Sequence, residues 1–217
     1  GGGGAHVAKE HVPNVPGAFV LCGALSPREC SSIIGVAEGP LMGYSPHHPI
    51  GKESSTGIDE CEWLADESLV GPIFSRIQAL LPQTLGGGKV AGINPRWRLF
   101  RYTEGAVYRP HIDGSWPGGG LDPSTDQYKT NDNLRSRLTC LVYLNGGFEG
   151  GCTTFYLPAE EEGHVNAYRV QPFCGNILCF PQGNTASLVH EGSAVSHGCK
   201  YVIRTDILYT APEPKAR

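Results

Sequence analysis

The sequence lacks the features that would place it in a membrane or on nucleic acid. No apolar run approaches the ~20 residues that a membrane-spanning helix needs. Lys and Arg number 17 against 21 Asp and Glu, giving a formal net charge of −4 and a pI near 6.1. There is thus no basic stripe to hold phosphates, and neither nucleic acid nor an anionic membrane surface is expected as a partner. The eight cysteines contain no Cys-x-x-Cys pair and no Cys/His grouping with structural-zinc spacing. Several sit inside apolar runs, such as Cys140 and Cys179, and read as buried reduced thiols. Internal repeats and heptads are absent. Methionine occurs once, at Met42, and the opening Gly1-Gly2-Gly3-Gly4 has the texture of a processed or engineered end. A cytoplasmic placement is the expectation.

What is abundant is glycine, at 30 residues, and proline, at 17, within 217. That density of turn formers predicts many short strands rather than long helices. The length fits one domain over residues 1–217, with an N-terminal helical support region at 15–94 and a β core at 95–210. Ser26-Pro27-Arg28-Glu29 spells an N-cap, a first-turn proline and a capping box. Cys30, Ile33, Ile34 and Ala37 follow at helical spacing until Gly39-Pro40. A loop is expected from there to about residue 60. A second helix is expected between Asp66 and Leu81, with Pro72 awkward inside it. From Trp97 onward, residues 97–102, 138–145, 152–156, 165–171, 176–180, 186–190 and 200–209 read as strands, suggesting a mainly β (α+β) sandwich or jelly roll. The polar segment Gly114–Leu134 reads as a long loop at the site mouth, able to act as a lid or to bind substrate together with Arg109 and Trp116. His47, His48, His164 and His197 lie in turn-rich stretches and are expected to be solvated.

The chemistry centres on His111-Ile112-Asp113. In a strand, residues two apart share a face, so this imidazole and carboxylate can reach one metal ion together. A distant histidine would complete a 2-His-1-carboxylate set that leaves metal positions open. Alone the motif is weak, because chance supplies about one His-x-acid pair in a chain of this composition. Its surroundings carry the case. Phe100-Arg101-Tyr102-Thr103-Glu104-Gly105-Ala106-Val107-Tyr108-Arg109-Pro110 leads into it. Arg137–Asn145, Gly150-Gly151-Cys152-Thr153-Thr154-Phe155 and Pro172–Phe180 follow, then His190-Glu191-Gly192, with Lys200 ten residues after His190.

In order and spacing these pieces resemble the prolyl 4-hydroxylase-like branch of the Fe(II)/2-oxoglutarate oxygenases, over residues from about 15 to 209. The resemblance implies a double-stranded β-helix (jelly-roll) core and a metal held by His111, Asp113 and His190. It implies that Lys200 and Tyr143 hold the distal carboxylate of 2-oxoglutarate, with Tyr102 near co-substrate or substrate and Thr139 lining the same pocket. Period two puts Lys200, Val202, Arg204 and Asp206 on one face, so Arg204 is a rival anchor for that carboxylate. Fe(II), 2-oxoglutarate, dioxygen and accessory ascorbate are the implied cofactors and co-substrates. Hydroxylation of peptidyl proline is the leading activity. Another protein side chain, a small metabolite or alkylated nucleic acid is an alternative substrate, and a non-catalytic ligand-binding barrel is the alternative of a different class. A protein or peptide substrate is the expected partner.

Overall fold

Alternation along the later strands decides the architecture. On Lys200–Thr210, residues Tyr201, Ile203, Ile207 and Tyr209 point one way, joining Leu138, Cys140, Val142, Ile177 and Cys179 of the neighbouring strands. Lys200, Val202 and Arg204 point the other way, toward a cavity. One face of the sheet is therefore apolar enough to receive helices, and the other carries chemistry. The computed structural model describes residues 6–47, 57–122, 124–125, 127–183 and 188–211.

Among these residues an eleven-stranded antiparallel sheet contains, side by side, Ile177–Pro181, Tyr128–Tyr143, Lys200–Thr210 and Arg96–Tyr102. A four-stranded sheet of Val165–Val170, Thr153–Pro158, Val189–Gly192 and Tyr108–His111 faces it. Phe100, Tyr102, Tyr143, Phe155, Leu178, Phe180 and Val202 fill the space between the two sheets. This is the jelly roll. On the outer face the helices Pro27–Ala37 and Glu67–Ile77 bury Cys30, Ile33, Val70, Ile73 and Ile77.

The first helix starts where its capping box predicts. The Ser26 backbone N–H donates to Glu29 Oε2 at 2.8 Å, and the Glu29 N–H donates to Ser26 Oγ at 3.2 Å. Asp66 caps the second helix through the Leu69 N–H, and Pro72 lies inside it at the cost of one i→i−4 bond. The segment 15–94 also supplies strands, namely Phe19–Cys22, Ile58–Leu64 and Gly88–Ile93, which extend the large sheet.

Two expectations are corrected. Gly114–Leu134 is not a structureless loop, because Pro117–Leu121 pairs with the N-terminal part of Tyr128–Tyr143 as a hairpin. Gly118 and Gly119 answer to packing rather than turning. A Cβ on Gly118 would come within 2.7 Å of Leu134 Cβ and 2.9 Å of Leu208 Cδ1. His47 is not solvated but 2% exposed. The short strand Ser45–Pro46 pairs with Ile58–Leu64 and delivers the imidazole to Glu60 Oε2, 2.9 Å from Nδ1, and to the rings of Tyr108 and Phe100. His48 lies outside the described residues, whereas His164 and His197 are exposed.

Candidate active site

Antiparallel register sets His111 directly opposite His190, on the strands Tyr108–His111 and Val189–Gly192. Their ring centroids are 4.3 Å apart. Tyr108 flanks His111, and Phe155 and Phe180 wedge His190. The strand ends at His111, and two residues further on Asp113 turns its carboxylate to both histidines. Asp113 Oδ1 is 3.6 Å from His111 Nε2, and Oδ2 is 3.7 Å from His190 Nε2. Ligand atoms of the three residues all lie within 4.8 Å of one another.

The donor set fits a divalent metal. Each imidazole uses Nδ1 on a backbone carbonyl, His111 on Arg109 O at 2.9 Å and His190 on Leu188 O at 3.0 Å. With Nδ1–H committed as donor, the Nε2 lone pairs point inward, as in metal-bound histidines. Burial pushes the His190 imidazole pKa down, keeping the ring neutral and its lone pair available. Burial also opposes ionisation of Asp113, but the Arg204 guanidinium, the two imidazoles and a hydrogen bond from Thr139 outweigh it, so the carboxyl sits well below the usual carboxylate range.

The triad forms one wall of a cavity of about 210 Å³ whose other walls include Tyr102, Thr153, Lys200, Val202 and Arg204. Lys200 is 2% exposed and donates from Nζ to Gly151 O at 2.7 Å. Nζ lies 5.0 Å from the centroid of the Tyr102 ring and 5.6 Å from that of Tyr143. Among the described residues no carboxylate pairs with this ammonium, and burial pushes its pKa down to about 8. Arg204 is differently placed, with Nη2 3.6 Å from Asp113 Oδ1 and 3.4 Å from Asp206 Oδ1.

Of the residues singled out in the sequence, His111, Asp113, His190, Tyr102, Lys200 and Arg204 meet at this cavity. Tyr143 and Thr139 do not line it. The Tyr143 hydroxyl is spent on Thr153 Oγ1 at 2.8 Å, and it is Thr153 that reaches the wall. Thr139 Oγ1 donates to Asp113 Oδ2 at 2.6 Å from behind the pocket. Strand period gives the face but not the depth, and Leu141, between these two residues, takes the exposed place. The wall also holds Arg98 and Phe100, which sequence reasoning left out. Their alternation with Tyr102 on Arg96–Tyr102 was the available signal.

The rim is apolar and exposed. Ile112 and Trp116 are 51% and 56% exposed, and both border the cavity. Trp116, Arg98 and Arg204 also border a second cavity that runs on to Pro117 and Tyr128.

Comparison with known proteins agrees with this geometry. The family model of the 2OG-Fe(II) oxygenase superfamily matches residues 97–205, which is 109 of the 217 residues. No curated protein matches the chain in sequence. A prolyl-4-hydroxylase from Pseudomonas putida superposes with a TM-score of 0.55 at 15% identity, covering 91% of this chain and 94% of that one. The viral collagen prolyl hydroxylase from Paramecium Bursaria Chlorella virus-1, in its 2OG complex, gives 0.54 at 16% identity, covering 96% and 98%. A Trichoplax adhaerens prolyl hydroxylase in complex with a hypoxia inducible factor oxygen degradation domain peptide fragment gives 0.57 at 17%, covering 92% and 86%. At these identities the likeness is one of fold. The family match over half its length makes the chain a member of the 2OG-Fe(II) oxygenase superfamily, an Fe(II)- and 2-oxoglutarate-dependent dioxygenase.

Proposed function

We propose that His111, Asp113 and His190 hold Fe(II), that Lys200 anchors the distal carboxylate of 2-oxoglutarate, and that the substrate is a proline in an extended peptide. The observation that carries the reading is a buried lysine that, among the described residues, has no carboxylate partner and shares a cavity with three potential metal donors. Charge balance supports it. On the cavity wall the cations Arg98, Lys200 and Arg204 outnumber the carboxylates Asp113 and Glu191, and a divalent metal would add to the positive excess that a dicarboxylate offsets. Arg204 already faces two carboxylates, so Lys200 is the better anchor. Thr153, oriented by Tyr143, adds a hydroxyl to the same wall.

Bound Fe(II) supplies the oxidising chemistry, in which 2-oxoglutarate and dioxygen become succinate and carbon dioxide as one C–H bond becomes C–OH. The chain's own part is to fix the donors, desolvate the co-substrate's distal end and position the target bond. Tyr102, whose phenol burial keeps protonated, closes the floor beside Lys200. Gly192 makes room for it, since a Cβ there would approach the Tyr102 hydroxyl to 3.2 Å.

Ile112 and Trp116 at the rim, and the cavity continuing along Pro117 and Tyr128, support an extended peptide over a compact metabolite. Accessory ascorbate, keeping the iron reduced, belongs to the same proposal. The test is succinate formation from 2-oxoglutarate with Fe(II) and ascorbate, with and without proline-containing peptides. Peptide-stimulated succinate with an added oxygen mass on proline is the expected result. Turnover that no peptide stimulates would remove the peptidyl-proline assignment while keeping the oxygenase.

A further inference from the structure

Asp206 is a carboxylate, 3% exposed, that does not itself line the cavity holding His111, Asp113 and His190. Such a group is costly to bury and calls for partners. Its partners lead back to the metal centre by two routes. On one side the Gln182 amide donates from Nε2 to Asp206 Oδ1 at 3.1 Å, Gln182 Oε1 lies 3.3 Å from Thr139 Oγ1, and Thr139 donates its single proton to Asp113 Oδ2. On the other side Arg204 Nη2 lies between Asp206 Oδ1 and Asp113 Oδ1. The contacts run round through Asp113, Thr139, Gln182, Asp206 and Arg204, the single Thr139 proton serving Asp113 Oδ2 in the shorter contact or Gln182 Oε1 in the longer one. Asn94 Nδ2 donates to the remaining Asp206 oxygen at 3.4 Å.

The mounting of this ring is as informative as its contacts. Thr139 and Asp206 are direct cross-strand partners, Phe180 of the adjoining strand pairs with Thr139 on its other side, and Gln182 stands two residues beyond Phe180. Two adjacent strands of the large sheet thus carry Thr139, Arg204 and Asp206, and Gln182 sits one residue past the end of a third, its N–H donating to Arg137 O at 3.1 Å. Asp113, by contrast, lies past the end of its own strand, where backbone pairing does not fix its carboxylate. Its peptide is tied to the same region, because the Gly183 N–H donates to Asp113 O at 3.2 Å.

We propose that Thr139, Gln182 and Asp206, with Arg204, are positioning residues for the metal centre, a side-chain ring that sets the orientation of the Asp113 carboxylate. The inference rests on the reading of Asp113 as a metal ligand. Outer partners of ligating carboxylates typically change metal affinity roughly 10- to 100-fold when removed.

The test is anaerobic Mn(II) titration of the metal-free protein, following free Mn(II) by electron paramagnetic resonance, alongside the melting temperature of each metal-free variant. Thr139→Val and Gln182→Leu should weaken Mn(II) roughly 10- to 100-fold. Thr139→Ser, which keeps the hydroxyl, should restore affinity. Asp206→Asn keeps volume while removing the charge that Arg204 faces and turning one of the two accepting oxygens into a donor, so it reports on the ring even if an apolar variant fails to fold, and it should weaken Mn(II) as well. Affinities within threefold of the unmodified protein in the folded variants, with only the melting temperature lowered, would overturn the proposal and leave a purely structural network. If the unmodified protein itself binds no Mn(II), or binds it unaffected by His111→Ala, the metal-centre reading falls instead.

Discussion

Replacing Lys200 by Met should have opposite effects on folding and on co-substrate binding. In the ligand-free protein the ammonium is buried, its pKa lowered from 10.5 to about 8 by desolvation. At 1.36 kcal/mol per tenfold change in proton affinity, the charged form carries a folding cost of about 3 kcal/mol. Because the folded pKa lies below the unfolded one, the unfolded chain binds the proton more tightly. The cost is therefore complete below about pH 8 and fades as pH rises from there toward 10.5. Met keeps the apolar stem and removes the charge, while losing about 1–2 kcal/mol with the hydrogen bond to Gly151 O. The metal-free, ligand-free variant should thus be about 1–2 kcal/mol more stable near neutral pH. Binding goes the other way, since removing one partner of a buried charge pair costs about 2–5 kcal/mol, or roughly thirtyfold to several thousandfold in affinity. Calorimetric titration of 2-oxoglutarate into the Fe(II)-loaded protein without oxygen, paired with thermal melts, measures both. Unmodified affinity in Lys200→Met, with affinity lost in Arg204→Met, would refute the reasoning and make Arg204 the anchor.

His111→Ala and Asp113→Ala should each abolish succinate formation and strip bound iron, read by elemental analysis of the dialysed protein; retained turnover in either would remove that residue from the triad. Trp116→Ala should raise the KM for peptide about tenfold, the loss of an exposed aromatic anchor, with the KM for 2-oxoglutarate unchanged. A change in the latter alone would place Trp116 elsewhere in the reaction. Tyr143→Phe should act through Thr153, weakening 2-oxoglutarate less than Lys200→Met does, and an equal loss would show that the phenol touches the co-substrate itself. Ser26→Ala removes the capping box far from the site, so it should cost about 1 kcal/mol of stability, visible as a drop of roughly 2–4 °C in melting temperature, with kcat intact.

The cluster of His111, Asp113 and His190 was legible because its geometry is local. A two-residue spacing and one cross-strand pairing bring three side chains together, and the ordered segments around them tie the set to a family. The capped first helix was legible for the same reason, since Ser26 and Glu29 satisfy each other within one turn. What the sequence hid depends on long-range packing. The glycines at 118–120 look like turn residues, yet Gly118 is small because Leu134 and Leu208 lie against it. His47 sits in a stretch that reads as surface, and only the pairing of Ser45–Pro46 with Ile58–Leu64 takes it inside. Tyr143 and Thr139 were expected at the cavity and do not line it, because how far each reaches is set by its neighbours.

In the proposed reading one strand, Lys200–Thr210, supplies both the co-substrate anchor and the support of the Asp113 carboxylate. Its inner face presents Lys200, Val202, Arg204 and Asp206, successive side chains about 6.6 Å apart. Lys200 faces the co-substrate end, Arg204 faces Asp113, and Asp206 closes the ring behind it. A slip of one residue would send all of them into the helix layer and bring Tyr201, Ile203 and Ile207 into the cavity. The register must therefore be fixed before the site exists. The strand is paired on both sides, by Tyr128–Tyr143 and by Arg96–Tyr102. The one irregularity in its pairing with Tyr128–Tyr143 falls between Ser136 and Leu138, just before Thr139 meets Asp206. From that point to Tyr143 opposite Val202 the ladder is unbroken, so the register fixes how far Asp206 and Arg204 stand from Lys200 along the strand.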